Sequence, residues 1–373
     1  MLLLTRALIL LSLLSPPVLG AITLPDIFAD HMVLQRETEL PVWGTASPGE
    51  RITVTIGGQR RSASADEKGR WRVRLAPMPA GGPLTMTVAG RSAVVFSDIL
   101  VGEVWIGSGQ SNMVWRVGRS KDSEKEIAAA DFPEIRIAHK PCVKKDLINC
   151  TFPKNEWIPV RPGTIRSLSA ESYFFARELH RELKVPVGMI VRAVGGTPAL
   201  YWVGSRAVAE PGGLDPERLL IRTWRRTWGQ RDFPFLFMQY PKGGGWNPQN
   251  SLHRLPQKYR PDEWGLISLE HVRESLALPN VWMDITLDLE RGTHPLDKQS
   301  YAGRLAKLAL AKVYGRDKEF RWADARIDGD TVLVSHPKIS RPVHIRYGWA
   351  HLPNWCNLFN KAGFPAMPFR SDQ

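Results

Sequence analysis

Ser111 stands where a nucleophile would stand. It lies in Gly107-Ser108-Gly109-Gln110-Ser111-Asn112-Met113, directly after an apolar run from Ile99 to Ile106 that reads as a buried strand. A strand that breaks into Gly-Ser-Gly and then presents Gln-Ser-Asn makes a tight turn at the carboxyl edge of a sheet, where open α/β sheets bind ligands. The glycines permit the sharp turn, and backbone N–H groups beside the serine could face a developing oxyanion. Taken alone, a serine in a glycine-rich turn is an ordinary connection. The partner that would change this is a histidine. His294 sits at the end of a strand and loop, just before a helix, late in the α/β part of the chain. A parallel sheet would bring it to the same edge, to take the serine proton and later return a proton to a leaving alcohol. The alternative role for His294 is capping or packing on its own helix. A second glycine turn, Val194-Gly195-Gly196-Thr197-Pro198, is either a further source of oxyanion donors or a plain strand-to-loop turn.

Two kinds of element must position these residues. From Pro41 to Phe96 the pattern has period two. Ile52, Val54 and Ile56 alternate with Arg51, Thr53 and Thr55, while Trp71, Val73 and Leu75 alternate with arginines. Leu84, Met86 and Val88 repeat this after a Gly81-Gly82-Pro83 turn, which predicts a small antiparallel sandwich. After Asp98, apolar strands alternate with helices, the pattern of a parallel sheet. Helices are expected over 171–183, with Phe175, Leu179 and Leu183 on one stripe, and over 264–276. Another is expected over 295–314, with Leu305, Leu308 and Ala309 inward. Strands are expected over 187–194, 233–239 and 282–287, and β structure returns at 331–334 and 343–347.

With 373 residues, 43% of them hydrophobic, the chain can build two domains or one large one. Residues 1–20 have a short basic start, an apolar stretch from Ala7 to Leu14 and small residues before Ala21. This is the pattern of a secretory signal peptide, too short for a stable membrane anchor. A secreted or periplasmic protein is expected, with no membrane span after signal cleavage. Cys142 and Cys150 could close a local loop, leaving Cys356, and Asn149-Cys150-Thr151 is a glycosylation sequon in a eukaryotic host. The formal charge of +13 is dispersed rather than clustered. It argues against nucleic acid as a partner and for a solvated basic surface or an acidic glycan. No His/Cys spacing resembles a zinc site. Gly243-Gly244-Gly245 lacks the Lys-Ser/Thr of a phosphate loop, and His271 lacks zincin spacing. Among the fourteen tryptophans, Trp71 and Trp105 are expected in the core and others could offer sugar-stacking faces.

Taken in order, the motifs resemble those of the sialate O-acetylesterases and related carbohydrate acetylesterases of the SGNH hydrolase superfamily. The resemblance rests on the stretches 24–35, 101–113, 185–188 and 195–197. It continues through 232–236, His294-Pro295 with Lys298, 346–349 and 357–360. It implies an α/β fold with an SGNH-type, flavodoxin-like parallel sheet domain, shortened, over residues 98–318. An N-terminal antiparallel β-sandwich over 21–97 would precede it and a C-terminal β segment over 319–373 would follow. It implies Ser111 as nucleophile, His294 as general base, and the N–H groups of Ser111 and of Gly195 or Gly196 as oxyanion donors. The substrate would be an acetylated carbohydrate, cleaved through an acetyl-serine with no cofactor and no metal; no oligomeric state is implied.

Two departures from the family pattern bear on this expectation. An Asp close before the His-Pro often orients the imidazole, whereas Arg291 stands three residues before His294 here; Asp288, Glu290 or a backbone carbonyl would take that part. The family's Trp-Tyr-Gln-Gly-Glu block, which supplies a further oxyanion donor, is absent, as is a stretch between Gly315 and Phe320. Loss of one such donor typically costs about 10²–10³ in rate, and Asn247 or Asn250 would be the replacement. The competing expectation is a catalytically impaired relative that binds glycans.

Overall fold

Short strands, two of which bury every second residue, build the N-terminal part. In the computed structural model these are β1 (Val33–Gln35), β2 (Leu40–Thr45), β3 (Arg51–Ile56), β4 (Gln59–Ser64), β5 (Arg70–Leu75) and β6 (Gly81–Ala89). The structure describes residues 21–139, 156–203, 216–238, 275–284, 286, 289–290, 292–316, 324–328, 331–335, 337, 346–347 and 369–370. Ile52, Val54 and Ile56 are buried on β3, as are Trp71, Val73 and Leu75 on β5, whose arginines face outward. β2 pairs with β5, and β3 pairs with both β4 and β6, all antiparallel. The inward residues of both groups share one core with Phe28, Met32 and Val42.

The next strand, β7 (Ala93–Gly109), is 17 residues long and changes partners along its length. Its first part pairs antiparallel with β6, from Ala93 opposite Ala89 to Val101 opposite Gly81. Leu100 to Gly102 pair parallel with β1, and Glu103 to Gly109 pair parallel with β10 (Val187–Ala193). The strand passes through residues 97 and 98 without a break, so the antiparallel and parallel regions meet along one strand rather than at a linker. Gly102 sits at this change, and a Cβ there would collide with the Pro186 carbonyl oxygen.

Beyond β7 come α1 (Ser123–Ala128), β8 (Phe132–Ala138), β9 (Trp157–Val160) and α2 (Ala170–Leu183), before β10. β10 lies between β7 and β8 and is parallel to both; β9 adds antiparallel to β8. α2 begins one residue before the sequence expectation because Ser169 caps it, accepting from the Ser172 N–H at 3.2 Å. Its buried face includes Phe175, Leu179 and Leu183 and widens to every residue from Ala170 to Arg177. The helix packs on β8 and β10. Trp71 is in the core as expected, whereas Trp105 is half-buried, edge-on to Phe175 at 5.3 Å.

The chain divides into two compact units, residues 1–201 and 202–373. The second contains α3 (Pro216–Trp228), β11 (Phe235–Met238), β12 (Val281–Asp284) and α4 (Lys298–Lys312). β11 and β12 pair parallel. α4 starts three residues later than Pro295, because the Asp297 carboxylate accepts from the Ser300 N–H at 3.1 Å and fixes the helix start there. Its buried stripe is Tyr301, Ala302, Ala306, Ala309 and Leu310; Leu305 and Leu308 are only half-buried, since the small alanines allow the closer approach. β13 (Asp324–Asp328) and β14 (Thr331–Ser335) form an antiparallel pair, as do β15 (Arg346–Tyr347) and β16 (Phe369–Arg370). The expectations for residues 1–20, Cys142, Asn149, Cys150, Asn247, Asn250, 264–274, Asp288, Arg291 and Cys356 lie outside the described residues. No described helix is long and apolar enough to cross a membrane.

Candidate active site

The carboxyl ends of β7 and β10 lie side by side, with Ser108 opposite Arg192 and Gly109 opposite Ala193. The two glycine turns that follow these strands therefore start together. Val194 N–H donates to the Gly109 carbonyl at 3.1 Å, and Thr197 Oγ1 donates to the Val194 carbonyl at 2.8 Å, closing the second turn on itself. A Cβ on Gly195 would lie 3.8 Å from Ser111 Cβ, so the backbone at Gly195 lies beside the serine. Gly109 has φ +145°, a conformation that favours glycine, and β7 ends there. Val114 N–H to the Gln110 carbonyl and Trp115 N–H to the Asn112 carbonyl, both 3.2 Å, then hold the Ser111 turn.

The start of α2 fixes that turn from below. Ser169 Oγ donates to the Met113 carbonyl at 2.7 Å, and Ala170 N–H donates to the Trp115 carbonyl at 2.7 Å. The helix end thus directs an orphan N–H and a capping hydroxyl to the turn's carbonyls. Ser172 Oγ lies 3.6 Å from Met113 Sδ, and both atoms lie 3.0 Å from where a Cβ on Gly107 would be. Ser169 and Ser172 are fully buried. Motif reasoning passes over both serines, although Ser169 in front of an apolar helix is a legible cap signal.

At the carboxyl end of the neighbouring β8 lies His139, which no sequence motif singles out. It is 6% exposed, and its Nε2 meets no hydrogen-bonding group among the described residues. Burial, reinforced by the charges of Arg116 and Arg192, pushes its pKa down to about 4, so the imidazole is neutral at pH 7. Arg192, on β10, is itself partly desolvated, which lowers its pKa.

In the second unit, His294 is exposed, Pro295 is buried and Lys298 is only 1% exposed. Glu290, expected as a possible orienter of His294, accepts from the Asp297 N–H through Oε2 at 2.7 Å, while its backbone carbonyl accepts from Tyr301 Oη at 2.6 Å. Its carboxylate thus also braces the start of α4. Of the sequence-predicted site residues, the structure brings together Ser111, Gly195 and Gly196 within the first unit. Glu290 and His294 belong to the second. No described group of three His, Cys, Asp or Glu side chains is arranged to hold a metal ion.

Comparison with known proteins adds sequence and fold relatives. No family model matches the chain. It is 29% identical over 204 residues to the sialate O-acetylesterase of Rattus norvegicus and 30% identical over 203 residues to that of Homo sapiens. Each match takes in 49% of this chain but only 38% and 39% of the relative, so the chain spans about two fifths of the length of the curated relatives it matches. A solved carbohydrate acetylesterase from Xanthomonas citri superposes with a TM-score of 0.67 at 27% identity, covering 94% of this chain and 100% of that one. The chain is thus similar in sequence to sialate O-acetylesterases over about half of its length, and in sequence and fold to a carbohydrate acetylesterase over nearly all of it.

Proposed function

We propose that the protein is a carboxylic ester hydrolase that removes O-acetyl groups from carbohydrates. The observation that carries this reading is Ser111 just past the carboxyl end of β7, with the Gly195 backbone beside it. In this reading Ser111 Oγ attacks the acetyl carbonyl as His294 takes its proton. The N–H groups of Ser111 and of Gly195 or Gly196 stabilise the oxyanion. Collapse of the tetrahedral adduct releases the sugar alcohol, which receives the proton from His294, and leaves acetyl-Ser111. Water, deprotonated by His294, then releases acetate and restores the serine. His294 is assigned by the His-Pro motif it shares with the family, and Asp288 or Glu290 is the proposed orienter of its imidazole. The fold of this reading is an SGNH-type α/β domain behind an N-terminal β-sandwich, and the basic-then-apolar pattern of residues 1–20 supports export.

The test is hydrolysis of p-nitrophenyl acetate and of acetylated oligosaccharides, with and without a serine-directed organophosphate. The expected result is loss of activity with the label on Ser111 by mass spectrometry, and loss of activity in Ser111→Ala at an unchanged melting temperature. Activity that persists in folded Ser111→Ala would remove Ser111 from the mechanism.

A further inference from the structure

Away from the Ser111 turn, the paired strands β2 and β5 carry a cleft of about 560 Å³ on the N-terminal unit. It is lined by Thr23, Trp43, Thr45, Arg70, Trp71 and Arg72 among others, and no residue of the Ser111 turn takes part. The volume is in the range of small-ligand sites. The strand register explains the lining. Trp43 pairs with Arg72 and Thr45 with Arg70, so these four side chains share one face, while Trp71 alternates to the other face and enters the core.

Each lining group is suited to a sugar. Trp43 is 36% exposed and packed edge-on against Phe28 at 5.0 Å, so its indole is a braced aromatic face open to solvent. Arg70 is tied to Asp66 at 2.9 Å, and the Asp66 carboxylate is fixed in turn by the Lys68 and Arg70 N–H groups. Arg72 is exposed and makes no ion pair among the described residues. The hydroxyls of Thr23 and Thr45 adjoin at 2.5 Å on the wall. Trp71 is 3% exposed, and its indole N–H meets no acceptor among the described residues. Its Cζ2, on the edge next to that N–H, lies 3.0 Å from where a Cβ on Gly44, another lining residue, would be.

We propose that this cleft is a saccharide site for an acidic pyranose. The apolar face of the ring lies on Trp43, its carboxylate or sulfate meets the Arg72 guanidinium, and its hydroxyls bond to Thr23, Thr45 and the Asp66 carboxylate. An indole offers a rigid apolar platform, and a guanidinium offers a forked donor that matches a carboxylate or sulfate. The inference stands independently of the esterase reading, since the cleft contains no part of the proposed catalytic apparatus.

The test is calorimetric titration of the full chain with trigalacturonate, with galactose 6-sulfate and with neutral cellotriose. Trigalacturonate or galactose 6-sulfate is expected to bind and cellotriose to bind more weakly; which anion binds distinguishes carboxylate from sulfate. Trp43→Ala and Arg72→Gln are each expected to weaken binding about tenfold or more. Arg60→Gln, on an exposed part of β4, and Ser111→Ala are expected to bind as the unaltered chain does. p-Nitrophenyl acetate hydrolysis should be unchanged in the Trp43 and Arg72 variants. If Trp43→Ala fails to fold, Trp43→Phe, which keeps an aromatic ring against Phe28, and the surface change Arg72→Gln decide the matter. No binding of either anion would overturn the proposal. So would equal binding of cellotriose, or a loss in Arg60→Gln as large as in Arg72→Gln, which would mean general attraction to a basic surface.

Discussion

The position of Ser111 is set by groups that never touch its hydroxyl-bearing carbon. The turn that carries it is held by the Ser169 hydroxyl on the Met113 carbonyl and by the first N–H of α2 on the Trp115 carbonyl. Ser169→Ala removes a helix cap and leaves the half-buried Met113 carbonyl one donor short. It is expected to cost about 1–2 kcal/mol in urea unfolding. Because the change relaxes the turn rather than a contact to substrate, kcat for acetyl esters should fall with KM little altered. A variant that lost stability with full kcat would show that the turn holds itself. His139 supports a different residue-scale expectation. Its pKa is pushed down to about 4, first by burial and then by Arg116 and Arg192, against 6.5 in an unfolded chain. The unfolded state therefore binds the extra proton between these values. The stability from keeping the ring neutral is complete above about pH 6.5 and drains away as pH falls toward 4, by on the order of 3 kcal/mol. His139→Gln should flatten that part of the stability profile, measured by urea unfolding at several pH values; an unchanged slope would assign the acid sensitivity to other groups. Ser111 and its neighbouring glycines were legible in the sequence because turn chemistry leaves a local signature. His139 was not, since its burial comes from neighbours distant in sequence.

At the scale of elements, the decisive feature is that β7 serves two kinds of pairing. Alternation made both regions readable, with β3 and β5 burying every second residue as their patterns require. The seam between them was not readable, because the apolar run after Asp98 resembles a fresh strand after a linker. What allows one strand to continue is close approach at Gly102, where a side chain would run into the Pro186 carbonyl oxygen. Just beyond, the mostly buried Glu103 accepts from Arg36 Nε at 2.6 Å and from Gln35 Nε2 at 3.1 Å, and Gln35 Oε1 accepts from the Val104 N–H. The Gly-Glu of the Val-Gly-Glu-Val-Trp motif is thus accounted for by strand assembly upstream of the serine. Gly102→Ala is expected to lower unfolding stability by about 1–3 kcal/mol through overpacking at this junction. Ala at this position with unaltered stability would mean that the backbone shifts freely there. The start of α4 taught the complementary lesson: Pro295 suits a first helical turn, but the Asp297 carboxylate, bonded to the Ser300 N–H, sets the boundary.

At the scale of the whole molecule, the proposed reaction pairs Ser111 with His294, residues far apart in the chain. The family resemblance is what proposes this pairing, through motifs far apart in the chain. Spacing alone could not, because a histidine before a helix is equally suited to local packing. The pairing makes a kinetic prediction that separates cooperation from coincidence. If Ser111 and His294 act as one unit, each single alanine variant should lose most of the activity, and the double variant should lose no more than the worse single one, because the second change removes a partner already disabled. If His294 serves only to pack or cap its own helix, Ser111→Ala alone would carry the catalytic loss, and His294→Ala would show a stability change with kcat nearly intact. Independent contributions would instead multiply, so that the logarithms of the two losses added in the double variant. Measuring kcat/KM for an acetyl ester in the four proteins, with melting temperatures alongside, distinguishes these outcomes. A sub-additive double variant would make Ser111 and His294 a single catalytic device, and an additive one would detach His294 from the serine.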